Sequence, residues 1–223
     1  MTFSIAGHCP ESGMFGVAIA SSSICVAARC AFVEAGVGAA ITQNVTDPRL
    51  GPQMLALARR GASAREVVDS VAGSAVHGAH RQLALVDGRG RNGHFSGARM
   101  LGQHAACPGR HCVAIGNLLA SDTVPAAMVG AFTATRGSLP LRLLVALEAG
   151  LAAGGEAGPV HSAGLLVAHE VPWPVVDLRV DWDDAPIVRL RRLWREYEPQ
   201  MDAYVIRALN PEQAPAYGVP GDP

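Results

Sequence analysis

The sequence predicts an α+β fold in which helices cover packed antiparallel sheets, and three observations carry that reading. Apolar residues alternate with period two in two short segments near the N-terminus, and further strand segments are read within residues 81–96 and 160–181. Pairs of longer segments with helical spacing and recognisable end signals separate those strand groups. The strict strand–helix alternation of a doubly wound parallel sheet is absent.

Residues 2–8 (TFSIAGH) put Phe3 and Ile5 on one face and Thr2 and Ser4 on the other. Residues 14–20 (MFGVAIA) put Phe15, Val17 and Ile19 on one face, and the intervening C-P-E-S-G reads as a hairpin connection. Pairing residue 8 with residue 14 sets position 2 opposite position 20 and brings Ser21, Ser22 and Ser23 beside Thr2. Segment 24–35 is apolar and could be helix or strand; residues 37–43 read as a strand buried on both faces. A helix is expected from Asp47 or Pro48 to a stop at Gly61, and Ser63 with Glu66 forms a capping box for the next. Residues 81–87 and 91–96 form a strand pair. An irregular Gly/His-rich stretch follows, then a strand over 111–116 that ends at Asn117. Asp122 is expected to cap a helix through Val124, Met128 and Phe132, and a second helix runs from Leu139 to Ala153. After the loop G-G-E-A-G-P, residues 160–168 and 174–181 read as strands joined by P-W-P, and Asp184 to about Leu209 as helix. Residues 1–210 are read as one domain and 211–223 as an irregular tail.

Composition narrows the function classes. The chain has 223 residues, 17% of them charged, and a formal net charge of −1. That lacks the electrostatic footprint expected of a partner such as nucleic acid or an anionic membrane. No apolar run is long enough for a membrane span, and no basic segment leads into an apolar leader. Five scattered cysteines, an odd number, fit reduced thiols, so a cytoplasmic protein is expected. The Ala/Gly-rich helices favour close packing between subunits, hence a homo-oligomer.

The residue pair that points to chemistry is Met1-Thr2. A small second residue permits removal of the initiator methionine, and Thr2 would then carry a free α-amine beside its own hydroxyl. A hydroxyl is a weak nucleophile alone, and an N-terminal amine is a base that activates it. The ordinary α-amine pKa, about 7.7–8.0, lies near working pH.

The ordered motifs M-T-F-S-I, P-E-S-G, G-V-A-I-A-S, G-V-G-A-A-I-T-Q-N, D-P-R-L-G-P, R-Q-L-A-L-V-D, A-I-G-N-L-L, H-S-A-G-L-L-V and V-V-D-L-R-V-D resemble the bacterial domain-of-unknown-function 1028 family. The resemblance covers Met1 to the region of Leu193. That family looks like the N-terminal nucleophile (Ntn) hydrolases. The resemblance therefore implies a four-layer αββα sandwich of two antiparallel sheets and amide hydrolysis by Thr2. Family members often carry a lysine where this chain has Ser22, and related Ntn enzymes use such a lysine to tune the amine. This chain contains no lysine.

Other residues are assigned around Thr2. Asn117, after Gly116, is the candidate side-chain donor to an oxyanion, with Gly116 allowing close backbone approach. Ser21, Ser22 and Ser23 are expected to orient the amine or the substrate, and Gln43 and Asn44 to bind its polar groups. Asp47 with Arg49, and Asp177 with Arg179, read as ion pairs. His104, Cys107, His111 and Cys112 resemble a metal cluster in composition, but H-x₂-C-x₃-H-C is not a zinc spacing, so neither metal nor cofactor is expected. The expected activity is hydrolysis of a small non-protein amide. The alternative is a ligand-binding or assembly protein that has lost the chemistry.

Overall fold

A computed structural model of the chain describes residues 1–220. The strands and helices run in the order β1 (Thr2–His8), β2 (Phe15–Ser21), α1 (Ala27–Cys30), β3 (Ala31–Glu34), β4 (Gly38–Asn44), α2 (Leu50–Arg59), α3 (Ala64–Ser74), β5 (Arg81–Asp87), β6 (Asn92–Ser96), β7 (Ala105–Gly109), β8 (Cys112–Asn117), α4 (Val124–Ala134), α5 (Leu139–Ala152), β9 (Ser162–Ala168), β10 (Val176–Val180), α6 (Pro186–Tyr197) and α7 (Met201–Leu209). The six-stranded sheet has the order β10-β9-β2-β1-β8-β7 and the four-stranded sheet β3-β4-β5-β6; every pairing is antiparallel.

Three apolar clusters separate four layers. Phe3, Ile5, Ala18, Leu165 and Val167 of the larger sheet meet Met128, Phe132, Leu143, Leu147, Leu190 and Trp194 of α4, α5 and α6. Val17, Ile19, Val113 and Ile115 meet Ile41, Ala84 and Val86 between the sheets. Ala40, Leu83 and Leu85 meet Met54, Val67, Val68 and Val71 of α2 and α3. The order is helix, sheet, sheet, helix: the αββα sandwich. Period two explains it, because alternate residues of each inner strand serve opposite layers. The capping box forms, with Ser63 Oγ accepting from Glu66 N and the Glu66 carboxylate accepting from Ser63 N.

Four expectations need correction. The first hairpin is shifted by one: His8 pairs with Phe15 and Phe3 with Ala20, because the connection closes as Cys9–Met14 with Gly13 at φ +73°. The Gly/His-rich stretch contains a strand, β7, whose Pro108 is tolerated because the strand lies at the sheet edge. Asp122 does not cap α4: Thr123 holds the N-cap position without a side-chain cap bond, and Ser121 Oγ accepts from Thr123 N at 3.2 Å. The C-terminal helix is two helices, interrupted by a 3₁₀ turn over Glu198–Gln200 that contains Pro199. In the tail, Pro211–Gln213 form a further 3₁₀ turn, and residues 221–223 lie outside the described residues. Among the described residues, no helix is long and apolar enough to cross a membrane.

Candidate functional site

At one end of the inter-sheet layer the apolar filling gives way to polar groups. Strand parity sends Thr2, Ser4 and Ala6 inward between the sheets and Phe3 and Ile5 outward to the helices. Asn117 pairs with Thr2 across β8, and Ser162 pairs with Ser21 across β9. The corrected register puts Ser21, not Ala20, opposite Thr2. Ser162, Ser21, Thr2 and Asn117 thus form a polar row over four adjacent strands, each of them buried.

Thr2 is only 6% exposed. Its Oγ1 lies 3.2 Å from Ser21 Oγ, and both hydroxyls donate to the carbonyl oxygen of Met1. The two flanking serines act through their backbone. Ser23 N donates to Ser21 Oγ at 3.0 Å, while Ser22 N donates to both carboxylate oxygens of Glu156 at 3.0 Å each. The Ser22 and Ser23 hydroxyls make none of these bonds.

Behind the row lies a buried amide network. Ser4 Oγ donates to Gln43 Oε1 at 2.6 Å, and Gln43 Nε2 donates to Gln82 Oε1 at 2.8 Å. Asn117 Nδ2 donates to the same Gln82 oxygen at 3.2 Å, and Gln82 Nε2 donates to the Gly116 carbonyl at 3.0 Å. Asn117 Oδ1 is buried without a partner among the described residues. A buried polar atom in that state is costly unless something else satisfies it. We expect Gln82→Leu to lower stability by about 2–4 kcal/mol, since Gln43 and Asn117 lose their shared acceptor. Urea unfolding checks this, and a loss below about 1 kcal/mol would show that the network closes without Gln82.

Some expected site residues have other work. Gln43 is inside the network rather than open to a ligand. Asn44 has the opposite strand parity: its Nδ2 donates to His80 O at 2.7 Å and its Oδ1 accepts from Leu101 N at 3.2 Å, so it braces two loops. Gly116 packs against the Leu119 side chain, whose Cδ2 would lie 2.6 Å from an added Cβ and would have to shift. Ser162 Oγ donates to Ser23 O at 2.6 Å, while His161 stacks on Trp182, so the two form no Ser–His pair. Asp47 and Arg49 pair with each other, as do Asp177 and Arg179. The Arg49 partner holds the Asp47 carboxyl down at about 2. Cys112 is buried towards the helices, its thiol pushed up to about 12 by burial, while His111 meets His8 edge to face. Among the described residues, no three His, Cys, Asp or Glu converge as metal ligands.

Sequence reading missed Gln82 of the amide network and also Glu156. Glu156 is 4% exposed and sits in the loop after α5, where it bridges to Leu119. Burial pushes its carboxyl up to about 7, against smaller lowering effects of the N-terminal ammonium group and the Ser22 hydrogen bonds. The run G-G-E-A-G-P announced a loop, but nothing in it signalled a buried acid beside Ser22.

Residues 2–190 match the family model described as "Family of unknown function (DUF1028)", and the chain belongs to that family. It is similar to the crystal structure of protein SPO2555 from Silicibacter pomeroyi, of the same family, at 32% identity and a TM-score of 0.82, with 88% of each chain covered. Two further solved structures share much less. Anbu (ancestral beta-subunit) from Yersinia bercovieri has 13% identity and a TM-score of 0.35 over 91% of this chain and 97% of that one. An Anbu (Gly-1) mutant from Hyphomicrobium sp. strain MC1 has 10% identity and a TM-score of 0.39 over 92% and 99%. Likeness at that level carries no functional inference. No curated protein matches the chain.

Proposed function

We propose that this member of the DUF1028 family is an amide hydrolase whose nucleophile is the Thr2 hydroxyl, freed by removal of Met1. The observation that carries the reading is the pair of hydroxyls, Thr2 Oγ1 and Ser21 Oγ, both donating to the carbonyl oxygen of an acyl group, that of Met1. The neutral α-amine of Thr2 takes the Oγ1 proton as that oxygen attacks the substrate carbonyl. Ser21 Oγ, beside Thr2, is the first donor for the oxyanion, and Asn117, paired with Thr2 across β8, is assigned as the second, through the Nδ2 hydrogen that its bond to Gln82 leaves free. The leaving amine takes the proton, and water, deprotonated by the same α-amine, cleaves the ester on Thr2. No step needs a metal or cofactor.

Five free cysteines support a reducing compartment, and we assign the protein to the cytoplasm as a homo-oligomer built from one domain over residues 1–210. The chain has no lysine, so its α-amine is its sole primary amine. Intact-mass measurement is expected to show the chain without Met1. Reductive methylation should then add label at one site only and slow amide turnover at least about tenfold, because it alters the proposed base. Turnover by a chain that keeps Met1 would overturn the mechanism. Processed chain that neither binds nor hydrolyses amides would favour the fold as a scaffold without this chemistry.

A further inference from the structure

Glu156 is a buried carboxylate with no cation of its own. Its two oxygens share one backbone donor, Ser22 N, and no Arg or His forms an ion pair with it among the described residues. One neutral donor offsets only part of the cost of burying a negative charge. The positive charge that acts on it is the α-ammonium of Met1, beyond contact distance.

Met1 is more than a leader here, because it is the acyl group attached to Thr2. Its carbonyl oxygen receives the hydroxyls of Thr2 and Ser21. Its thioether methyl lies against Gly158, where an added Cβ would approach to 3.1 Å. An amide therefore already occupies the site, its ammonium acting on Glu156 from beyond contact distance, its carbonyl on two hydroxyls and its unbranched side chain against a glycine. Removal of Met1 vacates that seat. The Thr2 amine must be unprotonated to act as base, so it supplies no positive charge to Glu156 when that carboxyl is ionised.

Resting on the reading of Thr2 as nucleophile, we propose that the substrate is an α-aminoacyl amide with a free ammonium group and an unbranched apolar side chain, and that Glu156 binds the ammonium. Hydrolysis breaks the C–N bond, gives the acyl carbon the oxygen of water, and releases an α-amino acid and an amine.

The probes are L-methioninamide and N-acetyl-L-methioninamide, which differ in the charge and size of the group at the amine. Binding is read by calorimetry in processed Thr2→Ala, with and without Glu156→Gln, and ammonia release is read in the processed wild-type chain. Methioninamide is expected to bind at least about tenfold more tightly than its acetylated form, and Glu156→Gln to remove most of that difference. Equal affinities, no binding, or a preference that survives Glu156→Gln would overturn the proposal. A Glu156-dependent preference without ammonia release would support this recognition and sink the catalytic reading. Ammonia release without the preference would do the reverse.

Discussion

Thr2→Ala is expected to reduce amide hydrolysis by at least about 10³-fold, because it deletes the only oxygen placed both on the N-terminal residue and against the acyl carbonyl. Alanine is also small enough to permit methionine removal, so the variant keeps a free α-amine. The structural cost is modest. Thr2 loses a hydroxyl contact with Ser21 and little volume, about 1 kcal/mol of stability. Thr2→Ser keeps the hydroxyl and should retain turnover within about tenfold. Steady-state rates on methioninamide, alongside thermal unfolding of each variant, separate loss of chemistry from loss of fold. Unchanged turnover in Thr2→Ala would end the assignment of Thr2.

The second large effect runs the other way. Glu156→Gln is expected to stabilise the protein at pH 8 by about 2–3 kcal/mol, and to give no such gain at pH 4. The sign follows from the native carboxyl at about 7, above the usual carboxylate range. Below that range, native and unfolded chains both hold the proton, and burial of the acid is tolerated. As pH rises towards 7 the unfolded chain ionises first, so the wild type loses stability across this window. Glutamine has no proton to lose and escapes the penalty. Urea unfolding at several pH values checks this, and a difference independent of pH would show that Glu156 is compensated in a way the Ser22 bond does not reveal. A structural acid destabilises when removed. A residue kept for binding stabilises when removed and costs recognition.

Much of the site was legible from strand parity alone. Alternation put Thr2 and Ser4 on the face opposite Phe3 and Ile5, and the sandwich keeps that division. The serine cluster fell beside Thr2 despite the register error, because a slip of one exchanged Ala20 for Ser21 within the same strand end. Parity also tells against Asn44, since the neighbour of an inward Gln43 must face away. Gln82 stayed hidden because its partner strand is separated from it by two helices, and sequence alone does not fix such a pairing. Glu156 stayed hidden for a related reason. It meets Ser22 from 134 positions away, through a loop whose glycines predict a turn but not what the turn delivers.

A chain terminus ordinarily frays, yet Thr2 lies in β1, fourth of six strands and bonded on both sides, to β2 and β8. Local opening of a loop or of a terminal helix leaves that strand in place, paired with β2 from Phe3 onwards and with β8 from Thr2 onwards. The strand that carries Thr2 is thus held by the global free energy of the domain rather than by that of any single segment. A tolerated cavity in a distant helix layer would reduce how many molecules are folded, while each folded molecule keeps the same alignment.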